Sequence, residues 1–162
     1  VQGEAGEKSA FEIFSENCKY KASKALVDFM ITVDAKLDLF KHYNVDCILE
    51  CMFLATLKSH RKKRIAELLV ASTIEIGRQL KRGKNVRTPV EVNGNDDITN
   101  ANATPSLVSA IMTSNYSQKL GEKLGFTANA EMTYDEFVFA GKKFSERIGD
   151  VHKTARLVSK RL

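Results

Sequence analysis

Apolar positions recur along the chain in several rhythms, and each predicts a different element. Over residues 22–43, Leu26, Met30, Val33, Leu37 and Phe40 alternate spacings of four and three, the period of one helix face, and Asn44 closes the pattern. Residues 45–57, VDCILECMFLATL, are nearly continuous in apolar side chains, with Asp46 at the start and Glu50 the one charge inside. That predicts a strand buried on both faces, in the middle of a helix-covered sheet. A polar run over 58–64 reads as a loop. Ile65, Leu68, Leu69, Ser72, Ile76 and Leu80 then trace a second helix face, which stops at Gly83 among Lys81, Arg82 and Lys84.

The second half is more broken. Residues 84–105 are rich in Asn, Asp, Gly, Thr and Pro and have little periodicity, so they predict one long flexible loop. Residues 106–113 read as a short buried strand, and 115–126 as a short helix whose Gly125 takes the left-handed position before Phe126. Residues 130–139 alternate like a final strand, and 150–162 form an amphipathic or irregular tail ending in a basic cluster. Residues 1–11 start in mid-pattern without a cap. The order of strand, basic loop, helix, loop, strand, helix and strand predicts an α/β fold. In such folds a loop leaving a central strand delivers a helix N-terminus, and anions bind there.

Composition narrows the classes. A chain of 162 residues, 43% hydrophobic and 28% charged, suits one folded domain with a real core. No window approaches the apolar length needed to span a bilayer, and VQGEAGEKSA lacks the regions of a signal peptide, so a cytoplasmic, membrane-free protein is expected. Cys18, Cys47 and Cys51 are odd in number and form no C-x-x-C pair, which predicts reduced thiols and neither disulfide nor zinc. No His/Cys/Asp cluster has metal-ligand spacing, so no metal is expected.

The net charge of +5 is unevenly placed: residues 58–87 hold ten Lys or Arg against Glu67 and Glu75. The rest of the chain is mildly acidic. One basic segment on such a chain fits either a nucleic-acid surface or a site for one polyanionic small molecule. No aromatic residue interleaves the cations from 58 to 87, which weighs against nucleic acid.

Two segments resemble a known family. FLATLKSHRKKRIAELL is similar to the strand and (R/Q)-x-x-G-x-(G/A) turn of the GNAT superfamily of N-acetyltransferases. TSNYSQKLGEKLGF, residues 113–126, matches the (T/S)-S-x-Y-S-x-x-x-x-x-K-L-G-F stretch of the insect arylalkylamine N-acetyltransferase-like group. His152, Val158 and Lys160 match the tail of that group. The resemblance covers about residues 25–162. It implies a GNAT-like mixed central sheet flanked by helices, with two central strands splayed to admit acetyl-CoA as cosubstrate. Family members place a first strand, helices and further strands ahead of the matched region. Residues 1–162 are therefore expected to form a single partial domain, incomplete at its N-terminus, and the group's usual general-base glutamate belongs to the part that is not matched.

The resemblance also implies site residues. Leu54, Ala55 and Thr56 would offer backbone groups to the pantetheine arm, as an added strand does. Arg61, Lys62, Lys63, Arg64, Ile65 and Ala66 would wrap the pyrophosphate with backbone N–H groups. The family turn is R-G-x-G-(I/V)-(A/G), whereas Lys62 and Arg64 stand here where glycine permits positive φ. Arg64 must therefore swing outward or stand where the pyrophosphate belongs. Ser117 and Tyr116 would protonate the leaving thiolate, with Thr113 and Ser114 lining the site; a competing assignment has Ser117 capping the helix and Tyr116 packed in the core. Glu50 would act as a base through water if burial raises its pKa, or would simply face a sheet edge. His152 would lie near the amine. The expected function is transfer of acetyl from acetyl-CoA to a primary amine of the dopamine, serotonin, tyramine or octopamine class, by a monomer without nucleic-acid or membrane partners. A truncated or degenerate acetyltransferase-like protein and a basic nucleic-acid-binding module are the alternatives.

Overall fold

A computed structural model describes residues 2–4, 8–84, 86 and 104–162. The predicted long helix is divided in two. α1, Ala10–Asn17, opens on a capping box in which Ser9 and Glu12 satisfy each other's backbone amides. It was missed because its cap lies in the polar N-terminal stretch. α2 runs Lys21–Asp34 and α3 Leu39–Tyr43. The break arises because the Asp38 carboxylate caps the Lys41 amide and restarts the helix. Asn44 ends α3 in the left-handed conformation, φ 51°.

The sheet is mixed. β1 (Gln2–Glu4) pairs antiparallel with β2 (Cys47–Cys51), and β2 pairs parallel with β3 (Leu107–Met112). After α4 (Ile65–Lys81), which connects β2 to β3, come α5 (Asn115–Lys123) and β4 (Thr127–Thr133). A small hairpin of β5 (Val138–Phe139) and β6 (Lys142–Lys143) leads into α6 (Phe144–Ile148) and β7 (Thr154–Arg161). The strand order is β1-β2-β3-β7-β4, with β7 antiparallel to both neighbours.

Three expectations are corrected. The strand placed over 45–57 ends at Cys51, because its parallel partner is engaged only from Ile48↔Leu107 to Cys51↔Ala110. The alternating run 130–139 is strand only to Thr133 and then turns into the hairpin. The tail read as amphipathic or irregular is β7, a strand paired on both sides with Ala155, Leu157, Val158 and Ser159 buried; consecutive buried positions in a central strand erase the period-2 signal. The loop expected at 84–105 lies outside the described residues except for 84, 86, 104 and 105.

Two apolar layers sandwich the sheet. Ile48 of β2 and Leu107 of β3 face α1 and α2, where Phe29 is 1% exposed and its ring packs 5.3 Å from Tyr134, 5.2 Å from Phe144 and 5.5 Å from Phe137. Leu49, Val108, Ala110 and Val158 face Val70 and Ile74 of α4 and Leu120 of α5. The buried face of α4 is therefore Val70, Ile74, Gly77 and Leu80, which shares only Leu80 with the predicted one, and Leu68, Leu69 and Ile76 are exposed. Both stripes are apolar at helical spacing, so periodicity alone does not choose between them. α5 lies close on β3: a Cβ at Gly121 would come within 2.5 Å of the Met112 Sδ. Gly125, φ +74°, lets the Phe126 amide donate to the Gly121 carbonyl and end the helix. Among the described residues no helix is long and apolar enough to cross a membrane. Cys47 is buried, Cys18 and Cys51 are half-buried, and all three are free thiols.

Candidate active site

The site is built where the parallel pair comes apart. β3 continues to Met112 against β7, while β2 stops at Cys51 and residues 52–57 run on without a ladder. This stretch leaves Phe53 77% exposed, with Leu54 and Leu57 also open to solvent, although the sequence is as apolar as a core strand. Both strands end at the same edge, and each feeds a helix from there: β2 leads through residues 52–64 to α4, β3 through Thr113 and Ser114 to α5. Two helix N-termini thus converge on the carboxyl edge of a parallel pair, where α/β sheets bind anionic ligands.

The basic turn has the backbone of a glycine-rich loop without the glycines. Lys58–His60 forms a single 3-10 turn, and the Arg61 Nε donates to the Thr56 carbonyl at 3.4 Å. Lys62 has φ +65° and Arg64 φ +59°, with Lys63 between them at negative φ. Alternation of hand over successive residues turns consecutive amides toward one side, the concave arrangement that cradles phosphate. Each left-handed residue other than glycine costs roughly 1–2 kcal/mol. α4 then begins at Ile65 with no side-chain cap, whereas α1, α3 and α5 each have one. Arg64 takes the outward alternative: its side chain is 71% exposed and bonds Glu67 through Nε at 3.1 Å and a terminal nitrogen at 2.5 Å. Lys123 of α5 reaches the same carboxylate at 2.8 Å. Together the two cations hold the Glu67 carboxyl down at about 2.

At the second helix start, Ser114 and Ser117 form a capping box. Each hydroxyl oxygen accepts the other residue's amide at 3.1 Å, and the Ser117 hydroxyl also donates to the Ser114 carbonyl at 2.9 Å. Tyr116 is 75% exposed rather than packed in the core, and its ring stands edge-on to His152 with centroids 5.6 Å apart. The Asn115 amide donates to the His152 Nδ1 at 3.2 Å, so the neutral ring carries its proton on Nε2. Thr113, Ser114, Tyr116, Ser117 and His152 therefore form one group.

Glu50 stands on β2 one residue before the strand ends at Cys51. Its neighbours two positions away, Ile48 and Met52, lie with the α1–α2 layer, so by strand alternation Glu50 faces that side, away from α5. Burial first, and then the Asp34 charge, raise the Glu50 pKa; Asp34 is itself raised by burial, with Glu12 and Asp38 adding to it. With the folded pKa above the unfolded one, Glu50 costs nothing below its unfolded value, destabilises progressively as pH rises from the unfolded to the folded value, and carries its full cost above that. Glu50→Gln is accordingly expected to raise Tm by about 2 °C at pH 7 and to leave it unchanged at pH 3.5. A thermal melt giving the same shift at both pH values would contradict this.

Two residues support the site without any sequence signal. The buried Tyr134 hydroxyl, its pKa pushed up to about 12 by burial, donates to the Thr113 carbonyl at 2.5 Å. The buried Gln118 amide donates to the carbonyls of Met112 at 3.2 Å and Thr154 at 2.8 Å, tying α5 to the ends of β3 and β7. Gln118 stands between Ser117 and Lys119 and Tyr134 between Thr133 and Asp135, so no apolar period marks either. Among the described residues no group of His, Cys, Asp and Glu could hold a metal ion.

No protein-family profile and no curated protein matches the chain. Solved structures do. Arylalkylamine N-acetyltransferase 2 from Aedes aegypti is similar at TM-score 0.71 and 17% identity, over 99% of this chain and 64% of that one. A mosquito arylalkylamine N-acetyltransferase-like 5b gives 0.71 and 18%, over 100% and 66%. The Drosophila melanogaster polyamine N-acetyltransferase that forms N-acetylagmatine gives 0.71 and 17%, over 99% and 66%. The chain thus spans slightly less than two thirds of the length of each. At such identities the likeness is one of backbone architecture, and the chain has the GNAT N-acetyltransferase fold.

Proposed function

We propose that this protein binds acetyl-CoA and transfers its acetyl group to a primary amine. The observation that carries the reading is the turn at 61–66, in which Lys62 and Arg64 take positive φ on either side of Lys63 and which opens onto an uncapped helix where two parallel strands part. The residues present fit the diphosphate of CoA. Backbone amides from Lys62 to Ala66 bind the charge, the dipole of α4 adds to it, and the cations of 58–64 draw the anion in. Leu54, Ala55 and Thr56, in a stretch with no strand partner, take the pantetheine arm by main-chain pairing.

Bound acetyl-CoA supplies a thioester carbon that a neutral amine can attack. The chain's own residues accept the amine proton and return one to the departing sulfur. Ser117 is the donor in this reading, with its proton held on the Ser114 carbonyl until the thiolate forms. Tyr116 lies exposed beside it, Thr113 and Ser114 line the approach, and His152, against Asn115 and Tyr116, is the residue assigned to the amine. Glu50, one residue before β2 leaves β3 and with its pKa raised first by burial, is the candidate base, taking the amine proton through water.

The arylalkylamines are the substrate class, supported by the match of residues 113–126 and by neighbours whose names include arylalkylamine acetyltransferases. Release of free CoA thiol, followed with tyramine, dopamine, serotonin, octopamine and agmatine, tests the activity. Amine-dependent release strongest with an arylalkylamine is the expected result. Release strongest with agmatine would move the class to polyamines, and none with any amine would contradict transfer.

A further inference from the structure

We propose that Glu67 is the positioning residue of the phosphate turn, holding Arg64 in the conformation that glycine would take unaided and keeping its guanidinium outside the cradle. The inference rests on the reading of residues 61–66 as a CoA site. Glu67 is the third residue of α4 and Arg64 its N-cap. A glutamate at that place in a capping box reaches back to the N-cap backbone amide. Here it takes the N-cap side chain instead, through two bonds from one guanidinium. α4 keeps no side-chain cap, so its first-turn amides are not consumed by the carboxylate.

The carboxylate is the anchored partner. The Glu67 side chain is 18% exposed and is gripped from the other side by Lys123 of α5. An arginine does not favour positive φ by itself, and a two-bond fork to an anchored acceptor one turn ahead fixes both its backbone and the direction of its head. The pair thereby does in two residues what a glycine does in one.

Simple electrostatics and positioning predict opposite signs. Removing a carboxylate beside a phosphate site should tighten anion binding if charge alone matters. The positioning role predicts the reverse, with rescue when Arg64 becomes glycine, since glycine needs no clamp. Calorimetric titration of CoA into the full chain compares the wild type with Glu67→Gln, Arg64→Gly and the double variant. Glu67→Gln is expected to bind about tenfold more weakly than the wild type, about 1.4 kcal/mol, and the double variant within about threefold of Arg64→Gly. Tighter or unchanged binding by Glu67→Gln, or a double variant about tenfold weaker than Arg64→Gly, would each overturn the proposal while the wild type still binds. A wild type that does not bind CoA would overturn the CoA reading itself, and this inference with it.

Discussion

Arg64→Val is expected to abolish CoA binding, lowering affinity by more than about a hundredfold, or about 2.8 kcal/mol, while Arg64→Gly keeps it. Both variants remove the guanidinium and its bonds to Glu67, so the contrast isolates the backbone. At φ +59° glycine is at ease, whereas a β-branched residue in this region is a genuine outlier. Valine would force residue 64 out of the left-handed region, and the amide alternation with Lys62 would go with it. The helix start would shift while the core face, Val70 and Ile74 against Val108 and Ala110, stayed packed. Loss of binding with a Tm within a few degrees of the wild type is therefore the expected pattern. A valine variant binding CoA within threefold of the glycine variant would contradict the claim that the conformation of this turn makes the site.

The largest effect on stability is expected from Phe29→Ala. Phe29 is 1% exposed and joins α2 to the rings of Tyr134, Phe137 and Phe144, which come from the segment between the end of β4 and the first residue of α6. Its removal deletes the centre of that layer, and buried Phe→Ala changes cost about 3–5 kcal/mol. Against a total of about 5–15 kcal/mol for a typical domain, the expected result is a Tm lower by about 10 °C for a chain of this length. The effect should reach the site, because Tyr134 stacks on Phe29 and donates to the Thr113 carbonyl. A loss below about 1 kcal/mol would mean that the aromatic cluster is not what seats α2 on the sheet.

The parts of the fold with local causes were legible. Asn44 and Gly125 end helices in the left-handed region where the chain placed them, and the α/β order with a basic turn before α4 followed from period and punctuation. The parts with long-range causes were not. The end of β2 at Cys51 depends on where β3 stops pairing with it, and VDCILECMFLATL carries no mark at that point. β7 was read as a tail because a strand flanked on both sides buries consecutive residues. α4 has two apolar stripes, and only the sheet decides which is covered.

The site shows the same division. The turn was found from its position and its cations, and the question of which way Arg64 points was correctly posed, yet the answer rests on Glu67 and Lys123, the latter distant in sequence. Residues 113–117 are marked by the matched stretch and His152 by the tail, and the fold brings His152 against Asn115 and Tyr116; strand parity puts Glu50 on the α1–α2 side of the sheet. Tyr134 and Gln118 act through single hydrogen bonds to carbonyls that exist only once β3 and β7 are side by side.

The central claim is that a turn built from lysine and arginine cradles a diphosphate as a glycine loop does. Calorimetric titration with CoA and, separately, with pantetheine tests it most directly, since the two share the arm and differ in the phosphates. Micromolar binding of CoA that weakens at higher salt, together with at least a hundredfold weaker binding of pantetheine, is the predicted result. Equal affinity for both ligands, or no heat with CoA, would contradict it.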